Sequence, residues 1–247
     1  MQEILSTALS TQKIIEKLGS KLVILVPPNK ENIYTEYMPD TYQHAEISST
    51  DILSDYLKQG GVNIVSPKKS LLESRLARQV YYSYDTHWNQ LGAYIGVREA
   101  LSTWKIGIPE LSSREIQTFN LRDHYHYCGE DDLAKMLGLR WVFNDEKEYK
   151  VEGTVDIEWE RFANEQADGM SHFKNDNAMI CGVVFLIGDS FRTSMVPLLG
   201  ETFSDVYVVH RNSYEPEMFN EVSPDYLILE YVERYSRYIG EISFLVQ

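Results

Sequence analysis

Two short runs of this 247-residue chain carry side chains whose types and spacing can do acyl chemistry: Asp85-Thr86-His87-Trp88 and, about a hundred residues later, Ile187-Gly188-Asp189-Ser190. A serine hydroxyl is a weak nucleophile until a base takes its proton. A histidine, with a reference pKa of about 6.5, can accept and return that proton near neutrality. An aspartate two residues before it can, in an extended or turning segment, reach the Nδ1 side of the imidazole, fixing its tautomer and stabilising the imidazolium formed during attack. Ser190, His87 and Asp85 are therefore the candidate nucleophile, base and orienting carboxylate. The chain order Asp, His, Ser is no obstacle, because unrelated folds assemble this trio in different orders. Thr86 reads as a spacer.

These residues need elements to position them. Gly182 to Ile187 is a continuous apolar, β-branched run, and Phe191 to Leu199 continues as a helix ended by Gly200. Gly188-Asp189-Ser190 then lies where a buried strand meets a helix, the place where open α/β sheets put their sites. Gly188 permits the turn, and free N–H groups of the helix start can stabilise an oxyanion. The alternative is that Asp189 or Ser190 only caps the helix.

The remaining pattern alternates in the same way. Helical spacing covers Ile4–Leu18, with Gly19 at its end, and Lys21–Val26 reads as a buried strand stopped by Pro27-Pro28. Asn29 to His44 reads as an ordered loop. Ser49-Thr50-Asp51 can cap a helix to about Leu57, and a short strand, Val62–Val65, follows Gly60-Gly61. Ser70–Arg78 and Asn89–Trp104 read as helices, Val80–Tyr84 as extended, and Asp205–Val209 and Tyr226–Glu230 as strands, so Asp85-x-His87 enters a helix. This predicts an α/β fold with a mostly parallel sheet covered on both faces, in one domain over 1–247. Residues 107–177 have a weaker pattern and read as an insertion or lid, with a helix at Asp131–Leu137 and possible strands near Trp141 and Thr154–Glu158.

Composition narrows the partners. With 37 acidic and 23 basic side chains the net charge is −14, which repels nucleic acid and anionic headgroups. No run approaches a membrane span, and the N-terminal run lacks the charged and apolar regions of a signal peptide. Two cysteines, Cys128 and Cys181, imply no disulfide framework. In a strand His124, His126 and Cys128 would share a face and could ligate zinc, but the spacing fits no tight zinc pattern, so no metal or other cofactor is expected. His44, His172 and His210 read as surface or core residues. The acidic runs Glu130-Asp131-Asp132 and Asp145-Glu146-Lys147-Glu148 read as solvated faces or helix starts. Trp88 either walls the site and binds a sugar face or is a packed core indole.

Three blocks resemble one family. Tyr82-Ser83-Tyr84-Asp85-Thr86-His87-Trp88-Asn89-Gln90-Leu91-Gly92-Ala93-Tyr94, Gly188-Asp189-Ser190-Phe191, and Val26-Pro27-Pro28-Asn29-Lys30 with Tyr34-Thr35-Glu36-Tyr37 are similar to the SGNH-hydrolase-like domain of the alginate O-acetyltransferases of the periplasmic AlgX and AlgJ type. Asp132–Leu139 is also similar to a family segment. The resemblance implies a three-layer α/β/α sandwich in which Ser190 is acylated, His87 is the general base and Asp85 orients it. The acetyl group would pass to a hydroxyl of an exported polysaccharide outside the cytoplasm, from a donor that a membrane acyltransferase could supply. It also matches Arg211 to a basic residue near the family's site, with a plain surface arginine as the alternative. The chain ends at Gln247 without the carbohydrate-binding module of some members, so the acceptor need not be alginate, and extracytoplasmic work implies an export signal or anchor ahead of Met1. A carbohydrate acetylesterase on the same trio and a non-catalytic glycan-binding or assembly subunit are the competing readings.

Overall fold

A computed structural model describes residues 1–120, 131–143, 145–155 and 169–246. Its helices are α1 (Gln2–Lys17), α2 (Ser49–Gln59), α3 (Lys68–Ser74), α4 (Gln90–Ser102), α5 (Asp132–Met136), α6 (Val196–Thr202) and α7 (Pro216–Val222). Its strands are β1 (Lys21–Leu25), β2 (Ile64–Val65), β3 (Ile116–Asn120), β4 (Lys147–Val151), β5 (Met170–Lys174), β6 (Ile180–Gly188), β7 (Phe203–His210) and β8 (Tyr226–Glu230). Six strands form one sheet in the order β2-β1-β8-β6-β7-β5, parallel throughout except for β5, which runs antiparallel on the β7 edge.

Period-two patterning makes this an α/β/α sandwich. Val23, Leu25, Val184, Leu186, Val206 and Val208 point to the face covered by α4 and α6, whereas Leu22, Ile24, Phe185, Ile187, Leu227 and Leu229 point to the face covered by α1, α2 and α7. A 3₁₀ segment, Glu233–Val246, closes that second layer against α1. Gly19 at φ 93° ends α1, a left-handed position, while the N–H groups of Gly19 and Ser20 return to Glu16 and Ile15.

Register brings the strand ends together. Leu25 pairs with Glu230, Ile187 with Leu229 and Gly188 with His210, so the chain leaves β1, β6, β7 and β8 at one edge. Several sequence expectations shift. Ser48, not the Ser49-Thr50-Asp51 run, caps α2, and Asp51 completes a capping box from the third helical position. The helix expected from Ser70 starts at Lys68 and ends at Ser74. The helix after Ser190 begins as a 3₁₀ turn, Ser190–Met195, before α6. Trp141 lies in a turn at 85% exposure and not in a strand, because the Val142 N–H bonds back across it to the Leu139 carbonyl (2.9 Å). Thr154 lies in a bend, and residues 156–158 of that expected strand fall outside the described residues. The 107–177 stretch is also not wholly peripheral, since β5 belongs to the central sheet and β3 and β4 form a two-stranded sheet beside α4. No helix among the described residues is long and apolar enough to cross a membrane.

Candidate active site

The Asp85-Thr86-His87-Trp88 run is the tip of a loop pinched at its base. Tyr81 bridges Trp88, the Tyr82 N–H donates to the His87 carbonyl (3.1 Å), and the Asn89 N–H donates to that of Val80 (3.2 Å). Asn89 then caps α4, its Oδ1 accepting from Leu91 and Gly92, while its Nδ2 donates to the Gln79 carbonyl. Trp88 is fully buried, so it does not present its indole to a sugar. Two glycines of α4 make room for it: a Cβ on Gly92 would meet Trp88 Cβ at 2.9 Å and also collide with the Val80 carbonyl oxygen, and one on Gly96 would lie 2.8 Å from the indole. The Trp88 Nε1–H donates to the Phe191 carbonyl (2.9 Å), which links the two sequence motifs.

At the loop tip the candidate trio comes together. The His87 Nε2 lies 2.6 Å from the Ser190 Oγ, and its Nδ1 lies 2.5 Å from Asp85 Oδ1, which also accepts the His87 backbone N–H at 2.8 Å. Asp85 is fully buried, yet Ser190 is exposed. Burial pushes the Asp85 carboxyl upward, but the hydrogen bonds and charge of His87 outweigh it and hold Asp85 well below the usual carboxylate range. Asp85 is then ionised at neutral pH and oriented at Nδ1, which leaves Nε2 to share a proton with Ser190.

Behind Ser190 the turn is built from buried polar groups. The Asp189 side chain accepts the N–H of Phe191 (3.0 Å) and of Val232 (3.0 Å), its own N–H donates to Glu230 Oε2 (2.9 Å), and Arg192 Nη1 donates to its carbonyl (2.7 Å). Burial, with the Asp189 charge, raises the Glu230 carboxyl well above its ordinary value, and burial lowers Arg192 to about 10. Gly188 is needed here for a reason beyond the turn: a Cβ would come within 2.5 Å of Glu230 Oε2. The expectation of free helix-start N–H groups is corrected for two of them, because Phe191 and Arg192 both donate to Asp189.

Arg211 follows β7, and its N–H donates to the Gly188 carbonyl (2.9 Å). Its guanidinium lies over the rings of Tyr235 (4.3 Å) and Tyr238 (4.9 Å), and it lines a cavity of about 420 Å³ with Asn212, Tyr231, Tyr238, Glu241 and Phe244. The exposed Arg234 stacks 5.3 Å above Phe191 and bonds Asn29 Oδ1 at 3.2 Å. Sequence reasoning did not single out Arg234, whose only signal is its place just beyond β8 at the edge where the sites of parallel sheets lie.

Of the two acidic runs, Asp131-Asp132 does begin a helix, α5, whereas the second departs from the expectation. Glu146 and Glu148 are 5% and 4% exposed and are not solvated: Glu146 Oε2 accepts the N–H groups of Ser83 (2.5 Å) and Tyr84 (3.0 Å), and Glu148 Oε2 accepts the Tyr82 hydroxyl (2.6 Å). Asp132 binds Thr86, which is thereby more than a spacer. Asp85, His87 and Asp132 place three ligand-type atoms within 4.8 Å, and among the carboxylate oxygens each receives an N–H or O–H from within this network. His124, His126 and Cys128 lie outside the described residues, and Cys181 is exposed.

Comparisons with known proteins bear on this geometry. Residues 1–213 match a family model described as the SGNH hydrolase-like domain of acetyltransferase AlgX. The fold is similar to that of a DHHW family protein from Eubacterium siraeum DSM 15702, at 14% identity and a TM-score of 0.67 over 99% of this chain and 90% of that one. It is also similar to Bacillus cereus PatB1 carrying a sulfonyl adduct, at 12% identity and a TM-score of 0.64 over 94% and 87%. A third likeness is to the O-acetyltransferase domain of Pseudomonas putida AlgJ, at 18% identity and a TM-score of 0.56 over 97% and 84%. No protein of curated function matches the chain in sequence.

Proposed function

The chain belongs to the family of SGNH hydrolase-like domains typified by acetyltransferase AlgX, and from that premise we propose that it is a serine-dependent O-acetyltransferase acting on an exported polysaccharide. In this reading His87 Nε2 takes the Ser190 proton as Oγ attacks the acetyl carbonyl of the donor. The tetrahedral intermediate collapses, His87 returns the proton to the leaving group, and acetyl-Ser190 remains. A sugar hydroxyl then gives its proton to His87 and attacks the same carbonyl, which releases the acetylated sugar and restores Ser190. Asp85 holds the tautomer and stabilises the imidazolium in both halves.

The observation that carries this reading is the continuous line from Asp85 Oδ1 through both His87 nitrogens to Ser190 Oγ, at 2.5 and 2.6 Å. Arg211 and its tyrosine-lined cavity, joined to the nucleophile turn through the Gly188 carbonyl, are the proposed acceptor-binding surface. Following the family, we assign the work to the extracytoplasmic side, with acetyl groups delivered by a membrane acyltransferase. The exposure of Ser190 supports a second reading, an acetylesterase, because water can reach the acyl-enzyme.

Turnover of an activated acetyl ester, with and without oligosaccharide acceptors, tests both. Ser190→Ala and His87→Ala are expected to lower kcat by at least about 10³-fold. Unchanged turnover in either variant rejects the trio. Acetylated sugar among the products selects transferase, and acetate alone selects esterase.

A further inference from the structure

A loop tip is ordinarily the least constrained part of a backbone, yet Asp85, Thr86 and His87 must hold two short hydrogen bonds in line. The side chain that grips this tip comes from the middle segment. Asp132, the first residue of α5, accepts the Thr86 N–H on Oδ1 (2.8 Å) and the Thr86 hydroxyl on Oδ2 (2.5 Å). Its backbone N–H reaches Asp85 Oδ2 at 3.2 Å, and the Ala134 N–H reaches the Tyr84 carbonyl at 3.2 Å. Glu146 holds the rising limb of the loop at Ser83 and Tyr84, and Lys30 donates to the carbonyls of Ser83 (2.8 Å) and Asp85 (3.0 Å).

We propose that Asp132 is a positioning residue for the base: by fixing Thr86 between Asp85 and His87 it sets the ring so that Nδ1 meets Asp85 while Nε2 meets Ser190. The inference rests on the reading of His87 as the base of Ser190. It gives part of the 107–177 stretch a role other than that of a lid. The contact from the backbone N–H of Asp132 to Asp85 needs no side chain at 132, so alanine and asparagine both keep its donor. Truncating the side chain therefore isolates the two bonds to Thr86 from the rest of the network.

The experiment compares the full chain with Asp132→Ala, Asp132→Asn, Thr86→Val and Ser190→Ala. It reads kcat and KM on an activated acetyl ester and the downfield proton resonance of the Nδ1–H held between His87 and Asp85. Asp132→Ala is expected to lower kcat by about 10²-fold, the usual cost of an ångström of misplacement, with KM little changed and the resonance shifted upfield or lost. Asp132→Asn keeps an acceptor for the Thr86 N–H and should stay within about tenfold of wild type, the worth of one weakened hydrogen bond. Thr86→Val removes only the hydroxyl donor and should move kcat and the resonance in the same direction, which covers the case of an Asp132→Ala protein that does not fold. Wild-type kcat and an unmoved resonance in Asp132→Ala, or in Thr86→Val should the former not fold, overturn the proposal. Ester turnover that survives Ser190→Ala overturns the catalytic reading instead, and the resonance still decides whether Asp132 holds the ring.

Discussion

Glu148 offers a test of the same network through stability. It sits on β4 at 4% exposure, with Oε1 accepting the Tyr149 N–H (2.8 Å) and Oε2 the Tyr82 hydroxyl (2.6 Å). Burial pushes its carboxyl up to about 7 from an ordinary 4.5; the two hydrogen bonds hold it down, and the neighbouring Glu146 charge adds to the rise. A carboxyl raised on folding binds more protons in the native than in the unfolded chain between those two values, so its contribution to stability falls as pH rises from about 4.5 to about 7. At about 1.4 kcal/mol per pH unit, the cost of the buried charge is about 3 kcal/mol at pH 8. Glu148→Gln keeps the shape with no charge to bury: its Oε1 can accept the Tyr149 N–H, and its Nε2 can donate to the Tyr82 oxygen once that hydroxyl turns its hydrogen away. Denaturant unfolding of both proteins should therefore give a stability difference that moves in favour of the variant by about 2–3 kcal/mol between about pH 5 and pH 8, or by roughly 5–10 °C in Tm. Glu230, also raised by burial, is present in both chains and cancels from the difference, whereas the repulsion between Glu146 and Glu148 is lost in the variant and is already part of the Glu148 rise. A difference that stays flat with pH, or that moves toward the wild type, refutes the burial argument.

Other outcomes follow from the site. Asp85→Asn leaves an amide where a buried carboxylate faces His87 Nδ1, and kcat on an activated ester should fall by about 10³–10⁴-fold; a loss below tenfold would remove Asp85 from the mechanism. A sulfonyl fluoride should react at Ser190 Oγ with loss of fluoride, giving a mass increase on the peptide that contains Ser190, and the labelling should slow in His87→Ala; label appearing on another residue instead counts against Ser190 as the nucleophile. Gly92→Ala places a Cβ against the Val80 carbonyl and 2.9 Å from Trp88 Cβ, so it should lose about 1–3 kcal/mol of stability by calorimetry, and an unaltered Tm would mean that α4 can shift away from the loop.

What the sequence made legible follows from locality. Tyr226–Glu230 is read to the residue, because a buried parallel strand is a run of apolar residues with nothing to compete with it. Asp85, His87 and Ser190 are legible because their chemistry needs particular residue types, and the first two sit within two positions of each other. Trp88 is ambiguous in sequence for a physical reason: an indole serves equally well in a sugar site or a core, and only Gly92 and Gly96, at four and eight residues further on, reveal that a ring is buried against that face of α4. Those two glycines are a usable signal, since spacing of four along a helix keeps one face bare.

The burial of Glu146 and Glu148 is not legible in the sequence because charge is informative only relative to its partners. Glu146 and Glu148 are two apart, the spacing that puts side chains on one face of a strand, and that alternation competes with the commoner meaning of an acidic run as a solvated surface. Their partners are the backbone of Ser83 and Tyr84 and the hydroxyl of Tyr82, more than sixty residues earlier, so no local pattern announces them. Asp132 is hidden in the same way, at the start of a five-residue helix where a carboxylate is expected for dipole reasons alone. These long-range bonds converge on the one loop whose own sequence was legible. The residues that perform the proposed chemistry can thus be read from their types, whereas those that aim it are ordinary acids whose role exists only in the pairing. The Asp132 and Glu148 substitutions are the ones that separate these two layers, because each alters how the loop is held or what it costs to hold it and leaves the Asp85, His87 and Ser190 side chains chemically unchanged.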